Sequence, residues 1–291
     1  MKTNTFKLNK FFSLVLLSIL VLAPSGCDSQ KSADDEDPKI DAPDGWVLVW
    51  NDEFSGPNID PAKWRHEINA NGGGNNELQY YTQRSKNSRI EDGVLIIESH
   101  EETYSDVEGA RDYTSARLRT KGRGDWKYGR FEVRAKLPTG QGLWPAIWML
   151  PTDWEYGGWP KSGEIDIMEV IGSEPDLLHG TLHFGNTWTD KSQDGGSLRL
   201  STGSLHNDFH VYTVEWTETE FNWYIDDVQF ARVSNWYTPG HDYPSPFDKR
   251  FHILLNVAVG GNWPGSPDAT TTFPQRMEVD YVRVFESESG Q

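Results

Sequence analysis

Between residues 46 and 286 no window sustains an apolar repeat of 3.6 residues. Short apolar and aromatic runs recur instead, separated by Gly, Asn, Asp and Pro. They cover residues 46–50, 94–100, 113–120, 130–137, 209–217, 251–259 and 277–285. In the fourth, Phe131, Val133, Ala135 and Leu137 alternate with Glu132, Arg134 and Lys136, which describes a strand with one wet face. No repeat and no second linker interrupts this stretch. The pattern predicts one all-β domain over 45–288, a jelly-roll sandwich of two curved antiparallel sheets. A bent sheet of that size offers an open groove, which suits a polymer better than a small molecule.

The formal net charge is −17, which repels phosphates and argues against a nucleic-acid partner. A single cysteine excludes an internal disulfide framework and a multi-cysteine metal site. Aromatic residues are abundant, with 13 Trp, 11 Tyr and 13 Phe. They fit either an aromatic core or a cleft whose rings stack on flat, partly polar ligands.

The N-terminus reads as an address. Residues 1–10 carry Lys2, Lys7 and Lys10 and no acid. The apolar run at 11–23 (FFSLVLLSILVLA) is short for a bilayer span and suits a signal-peptide core. Pro24, Ser25 and Gly26 lead to Cys27. This resembles a bacterial lipoprotein signal, although Pro24 stands where Leu is usual. The resemblance implies a signal peptide at 1–26 and an acylated Cys27, whose several chains make a lasting anchor. An ordinary secretory signal is the alternative. Residues 27–44 are acidic, contain two prolines and lack aromatics, as a flexible tether would. The cluster at 34–37 (DDED) resembles the surface-export signal of some Bacteroidetes lipoproteins, and plain solubilising charge is the other reading. The expected location is the outer membrane of a Gram-negative cell, facing outward, with the lipid as the only membrane contact.

Residues 163–172 read GEIDIMEVIG. On a strand Glu164 and Asp166 share one face, and Ile165 and Ile167 share the other. Plain alternation would then place Glu169 among the isoleucines, a costly burial of charge. One β-bulge between Asp166 and Glu169 flips the register and turns all three acids to one face. Glycosidic bonds break between two carboxyl groups, one protonated and one ionised. A separation of about 5–5.5 Å allows a covalent glycosyl-enzyme and retention, and a wider one inverts. Glu164 and Glu169 would stand roughly 13 Å apart at Cα, a span that two inward-leaning side chains can close. Asp166 between them would push their pKa values apart. A solvated acidic face or a cation site would show the same spacing.

The hexapeptide Glu164-Ile-Asp166-Ile-Met-Glu169 resembles the ExDxxE signature of glycoside hydrolase family 16. WNDEFSG (50–56), NNELQYYT (75–82), YTSARLRTKG (113–122), YGRFEVRAKLPTGQGLWPAIWMLP (128–151), LHGTLHFG (178–185) and NVAVGGNWPG (256–265) are similar to that family's laminarinase branch. The likeness covers nearly all of 45–286 and implies a β-jelly roll. By resemblance, Glu164 is the nucleophile, Glu169 the general acid/base and Asp166 the residue that tunes them. Spacing alone does not say which Glu is which. The complete triad separates the chain from relatives that recognise glucan without these acids. The implied activity is endo-acting, retaining hydrolysis of β-1,3-glucan in laminarin-like polymers by a monomer without a catalytic cofactor. Mixed-linkage β-1,3-1,4-glucan, a marine galactan, transglycosylation and non-hydrolytic glucan binding are the alternatives.

Further residues are expected around the acids. Trp144 and Trp148 share a strand face and could stack on sugar rings, with Trp148 the better candidate for core packing. His179, Thr181 and His183 alternate on another face; His183 is expected to reach substrate or the catalytic acid, and a satisfied core histidine is the alternative, above all for His179. His206 and His210 read as structural, and the β pattern argues against zinc at these histidine pairs. Asn76 and Glu77 follow a Gly-rich loop and are expected to bind sugar hydroxyls, or to serve the turn itself. Arg117 could reach a hydroxyl or pair with a carboxylate. Trp263, in a Gly/Pro loop, reads as a ring platform. The resemblance also implies one structural calcium, held by the Asp280 carboxylate and by backbone carbonyls at Glu53 and Gly93.

Overall fold

Alternation of apolar and polar residues becomes strand throughout the computed structural model, which describes residues 40–290. The expected signal peptide, Cys27 and the tether through residue 39 lie outside the described residues. Seventeen strands are found among the described residues: β1 (Trp46–Asp52), β2 (Arg65–Glu67), β3 (Gln79–Tyr81), β4 (Ser88–Glu91), β5 (Val94–Asp106), β6 (Gly109–Ser115), β7 (Arg117–Arg119), β8 (Gly129–Lys136), β9 (Leu143–Pro151), β10 (Glu164–Glu169), β11 (Leu177–Thr187), β12 (Asp190–Arg199), β13 (His210–Trp216), β14 (Phe221–Ile225), β15 (Val228–Val233), β16 (Phe251–Val259) and β17 (Gln275–Ser287). Ten form one sheet in the order β15-β14-β13-β8-β17-β5-β6-β3, with β1 added to β17 and β4 to β5. Seven form the other, in the order β12-β11-β10-β9-β16-β7-β2. Among the described residues only β3 and β6 pair in parallel. The all-β, two-sheet reading of the sequence holds.

The core lies between the sheets. Phe131, Val133 and Ala135 of β8 share it with Ile165 and Ile167 of β10 and with Ile253 and Leu255 of β16. The opposite face of β8 differs from the wet face expected of it. Arg130 bonds Glu132 and Glu215, each at 2.6 Å, and Lys136 pairs with Glu278 at 2.9 Å. The run at 113–120 also differs, because it is two strands. The chain changes sheets at the fully buried Ala116, so that β6 belongs to the larger sheet and β7 to the smaller.

The bulge deduced from the charge pattern is present in β10. Asp166 pairs with Thr181 of β11 and Glu169 with His179, a shift of one residue between the two pairs. The same shift appears against β9 between Asp166 and Met168. As a result the consecutive Ile167 and Met168 both enter the core, while the acids on either side turn outward. A bulge disturbs the ladder and leaves backbone groups to be satisfied elsewhere. Here Trp223 of the facing sheet donates its indole N–H to the Asp166 carbonyl at 2.9 Å. Gly180 of β11 leaves room for that ring, since a Cβ there would lie 2.4 Å from the Trp223 Cδ1. Trp223→Phe keeps most of the packing and removes the donor. It should cost about 1–3 kcal/mol, the penalty of an unpaired buried acceptor. Urea denaturation measures this, and an unchanged midpoint would show that the bond carries no weight.

Candidate active site

The outward face of the smaller sheet collects the predicted acids. Its register sets Glu164 opposite His183, Asp166 between Trp148 and Thr181, and Glu169 between Ala146 and His179. Asp166 is 2% exposed and forms the floor, while Glu164 and Glu169, each partly exposed, stand at its sides. The His183 Nε2 stands 3.2 Å from the Asp166 Oδ2 and 3.8 Å from the Glu164 Oε1. The Trp144 Nε1 donates to the Glu169 Oε1 at 3.0 Å. The indole N–H of Trp159, in the loop before β10, reaches Glu164. Each glutamate is thus held by one tryptophan.

Three carboxyls in so small a volume resist ionisation together. Burial pushes Glu164 up to about 8, and the neighbouring Asp166 and Glu169 add to the shift. Burial, followed by Asp166, pushes Glu169 up to about 8 as well. Asp166 is also held well above the usual carboxylate range by burial. His183 pulls both glutamates back toward ionisation. Its ring lies at the Glu164 end of the cluster, 3.8 Å from that carboxyl. A site that retains protons near neutral pH can offer one carboxylic acid beside one carboxylate, which is the pairing that glycoside hydrolysis uses.

The family model for glycosyl hydrolases family 16 matches residues 75–283. The chain belongs to this family. It is 48% identical to a β-glucanase of Rhodothermus marinus over 93% of its own length and 92% of that protein. The X-ray structure of the laminarinase from Rhodothermus marinus superposes with a TM-score of 0.76, covering 83% of this chain and 98% of that one. The catalytic domain of an endo-1,3-β-glucanase (laminarinase) from Thermotoga petrophila RKU-1 is 42% identical, with a TM-score of 0.76 over 84% of this chain and 98% of that one. These jelly-roll neighbours confirm the architecture read from the strand pattern.

Around the family 16 triad, the other predicted residues separate into two groups. Trp144 and Trp263 stand at one end of the face, edge to face at 5.3 Å, with Trp263 40% exposed. Asn76 fixes that loop by donating to the Asn262 side chain at 2.9 Å. Trp148 is half-buried on the face rather than in the core, because it continues the alternation of Trp144 and Ala146; its N–H is taken by Asn256 at 2.7 Å. Glu77 and Arg117, by contrast, are both buried. Glu77 accepts from Gln79 at 2.7 Å and lies 3.5 Å from Arg117, which also meets Glu67 at 3.4 Å and the Tyr81 hydroxyl at 3.2 Å. The Arg117 guanidinium underlies Trp148, 5.3 Å from its ring. Of the two readings of Arg117, carboxylate pairing is the one seen, and the Glu77 carboxylate is spent on protein partners.

His179 is not a core histidine. It faces outward opposite Glu169, and its ring lies 5.2 Å from Trp263. The alternation with His183 had already placed both on one face. Trp159 was missed because its loop, rich in Gly and Pro, has no periodicity. It forms the other aromatic end of the face with Trp188, 4.9 Å away, and Lys191 caps both rings. His206 and His210 lie apart from the acids, with His210 bonded to Asp226 at 2.7 Å.

The raised carboxyls give a signed prediction. Their folded pKa values exceed the unfolded value of 4.5. The native state therefore binds more protons between pH 4.5 and about 8, and stability falls as pH rises through that window. Glu169→Gln removes one such group. Its melting temperature should match the parent near pH 4.5 and exceed it by several degrees at pH 8, at about 2–4 °C per kcal/mol. A gain that shrinks with pH would contradict the electrostatics.

Proposed function

We propose that the protein is an endo-acting, retaining hydrolase of β-1,3-glucan in laminarin-like polymers. The observation that carries this reading is the bulge, which sets Glu164 and Glu169 on one face across Asp166 in a chain 48% identical to a β-glucanase. In the first step the Glu164 carboxylate attacks the anomeric carbon, and Glu169 gives its proton to the departing glycosidic oxygen. In the second, Glu169 takes a proton from water, which displaces Glu164 with a second inversion and hence net retention. The roles are those that the family resemblance implies.

The aromatic ends suit a chain of sugar rings. Trp144, Trp148 and Trp263 would stack on one side of the scissile bond, and Trp159 with Trp188 on the other. Asn76 would serve by fixing the Trp263 loop, and Glu77 and Arg117 by bracing Trp148 from below. Release of reducing ends should be fastest from laminarin among laminarin, curdlan, barley mixed-linkage glucan, agarose and carrageenan. Glu164→Gln should lose at least a thousandfold in kcat. NMR should show β product first. Cleavage of a galactan alone would overturn the substrate, and initial α product would overturn retention.

Two further features belong to the same reading. Cys27 would carry the lipid, with the acidic tether projecting the domain from the cell surface. A structural calcium would sit beside β17. Register supports the fit: Asp52 pairs with Val282 and Leu95 with Val279, so the chain after β1 and the turn at Gly93 both arrive next to Asp280. β17 shifts register at that point, between Val279 and Tyr281. The Asp280 Oδ2 meets Arg134 at 2.5 Å, and its other oxygen would take the ion. The Glu53 side chain is held by Arg283 at 2.9 and 2.7 Å, leaving its backbone carbonyl for the ion. Cys27→Ala should move the protein from the membrane to the soluble fraction, and chelation should lower the melting temperature without abolishing activity. Retention in the membrane, or an unmoved melting temperature, would remove the respective feature.

A further inference from the structure

Asp166 carries an oxygen for which the protein supplies no hydrogen bond. Its Oδ2 is buried and unpartnered among the described atoms. It points at the His183 Nε2, 3.2 Å away, without hydrogen-bond geometry. Buried polar atoms are nearly always satisfied, so such an orphan calls for a ligand. The Glu164 Oε1 lies 3.8 Å from the same nitrogen. One donor atom from each of the three residues falls within 4.8 Å of the others. Two ligands about 2.1 Å from a tetrahedral ion stand about 3.4 Å apart. The two measured separations bracket that value.

We propose that Glu164, Asp166 and His183 form a binding site for a divalent transition-metal ion, which competes with the polysaccharide for the acids. The donor set decides the class of ion. One imidazole nitrogen and two carboxylate oxygens fit the mixed nitrogen–oxygen sites of zinc and its neighbours. Calcium wants six to eight oxygens and magnesium an octahedron of them, and neither suits this trio. The fourth position opens to the cleft, where water or a substrate hydroxyl would complete the shell. The site is not a structural one. A ligating histidine normally donates its second N–H to a carboxylate or carbonyl, and the His183 Nδ1 is buried with no protein partner. Binding is therefore reversible, and an ion seated there withdraws the Glu164 carboxylate from attack.

The binding claim stands on geometry alone, whereas the competition rests on the hydrolase reading of the same residues. Isothermal titration of zinc chloride into the chelator-treated protein at pH 7.5 should show one zinc per chain at this site, not displaced by excess magnesium. His183→Ala should weaken it at least tenfold. Asp166→Asn should do the same and serves if the first variant misfolds, with circular dichroism as the check on both. In activity assays zinc should raise KM and leave kcat unchanged. Absence of zinc binding, or equal binding in both folded variants, overturns the site. Binding with an unchanged KM overturns the competition. If no polysaccharide is cleaved at all, the hydrolase reading fails and the titration still decides the metal.

Discussion

Everything at the site depends on one extra residue in β10. Without the bulge, Glu169 would point between the sheets and Met168 into the cleft. With it, two apolar neighbours enter the core and three acids share one face. The bulge is held from outside its own sheet, by the Trp223 indole on the Asp166 carbonyl, and Gly180 exists to admit that ring. The larger sheet therefore fixes the geometry of an acid cluster displayed on the smaller one. A strand held on both edges and clamped from behind places its side chains more firmly than a loop would.

That firmness has an electrostatic consequence. Three carboxyls crowd a nearly dry floor, and all are driven upward in pKa. The cluster destabilises the fold wherever it is ionised, as a functional site often does. His183 and two indole N–H groups moderate the strain by drawing both glutamates back toward ionisation.

Legibility in the sequence followed how directly each residue obeyed the strand period. The bulge could be deduced because a charge among isoleucines is an expensive contradiction with one cheap remedy. Trp144 and His183 followed from alternation alone. The same alternation also placed Trp148 and His179 on the face, against the core alternative weighed for each. Glu77 and Arg117 could not be resolved, because only tertiary packing brings Arg117 to Glu67 and Tyr81 and sets it beside Glu77. Trp159 lay in an aperiodic Gly/Pro loop. β12 (DKSQDGGSLR) is a largely exposed strand without apolar alternation, so its place in the smaller sheet was invisible. The split at Ala116 was equally hidden, since a strand that changes sheets keeps its period.

The central claim is that Glu164 forms the covalent bond and Glu169 moves the proton. A 2-deoxy-2-fluoro laminaribiosyl fluoride, which forms the glycosyl-enzyme readily and releases it slowly, tests this most directly. After proteolysis, mass spectrometry of the peptide that spans β10 should find one glycosyl group, and fragmentation should place it on Glu164. A glycosyl group on Glu169 or Asp166 would reverse the roles, and an unlabelled but active enzyme would contradict double displacement.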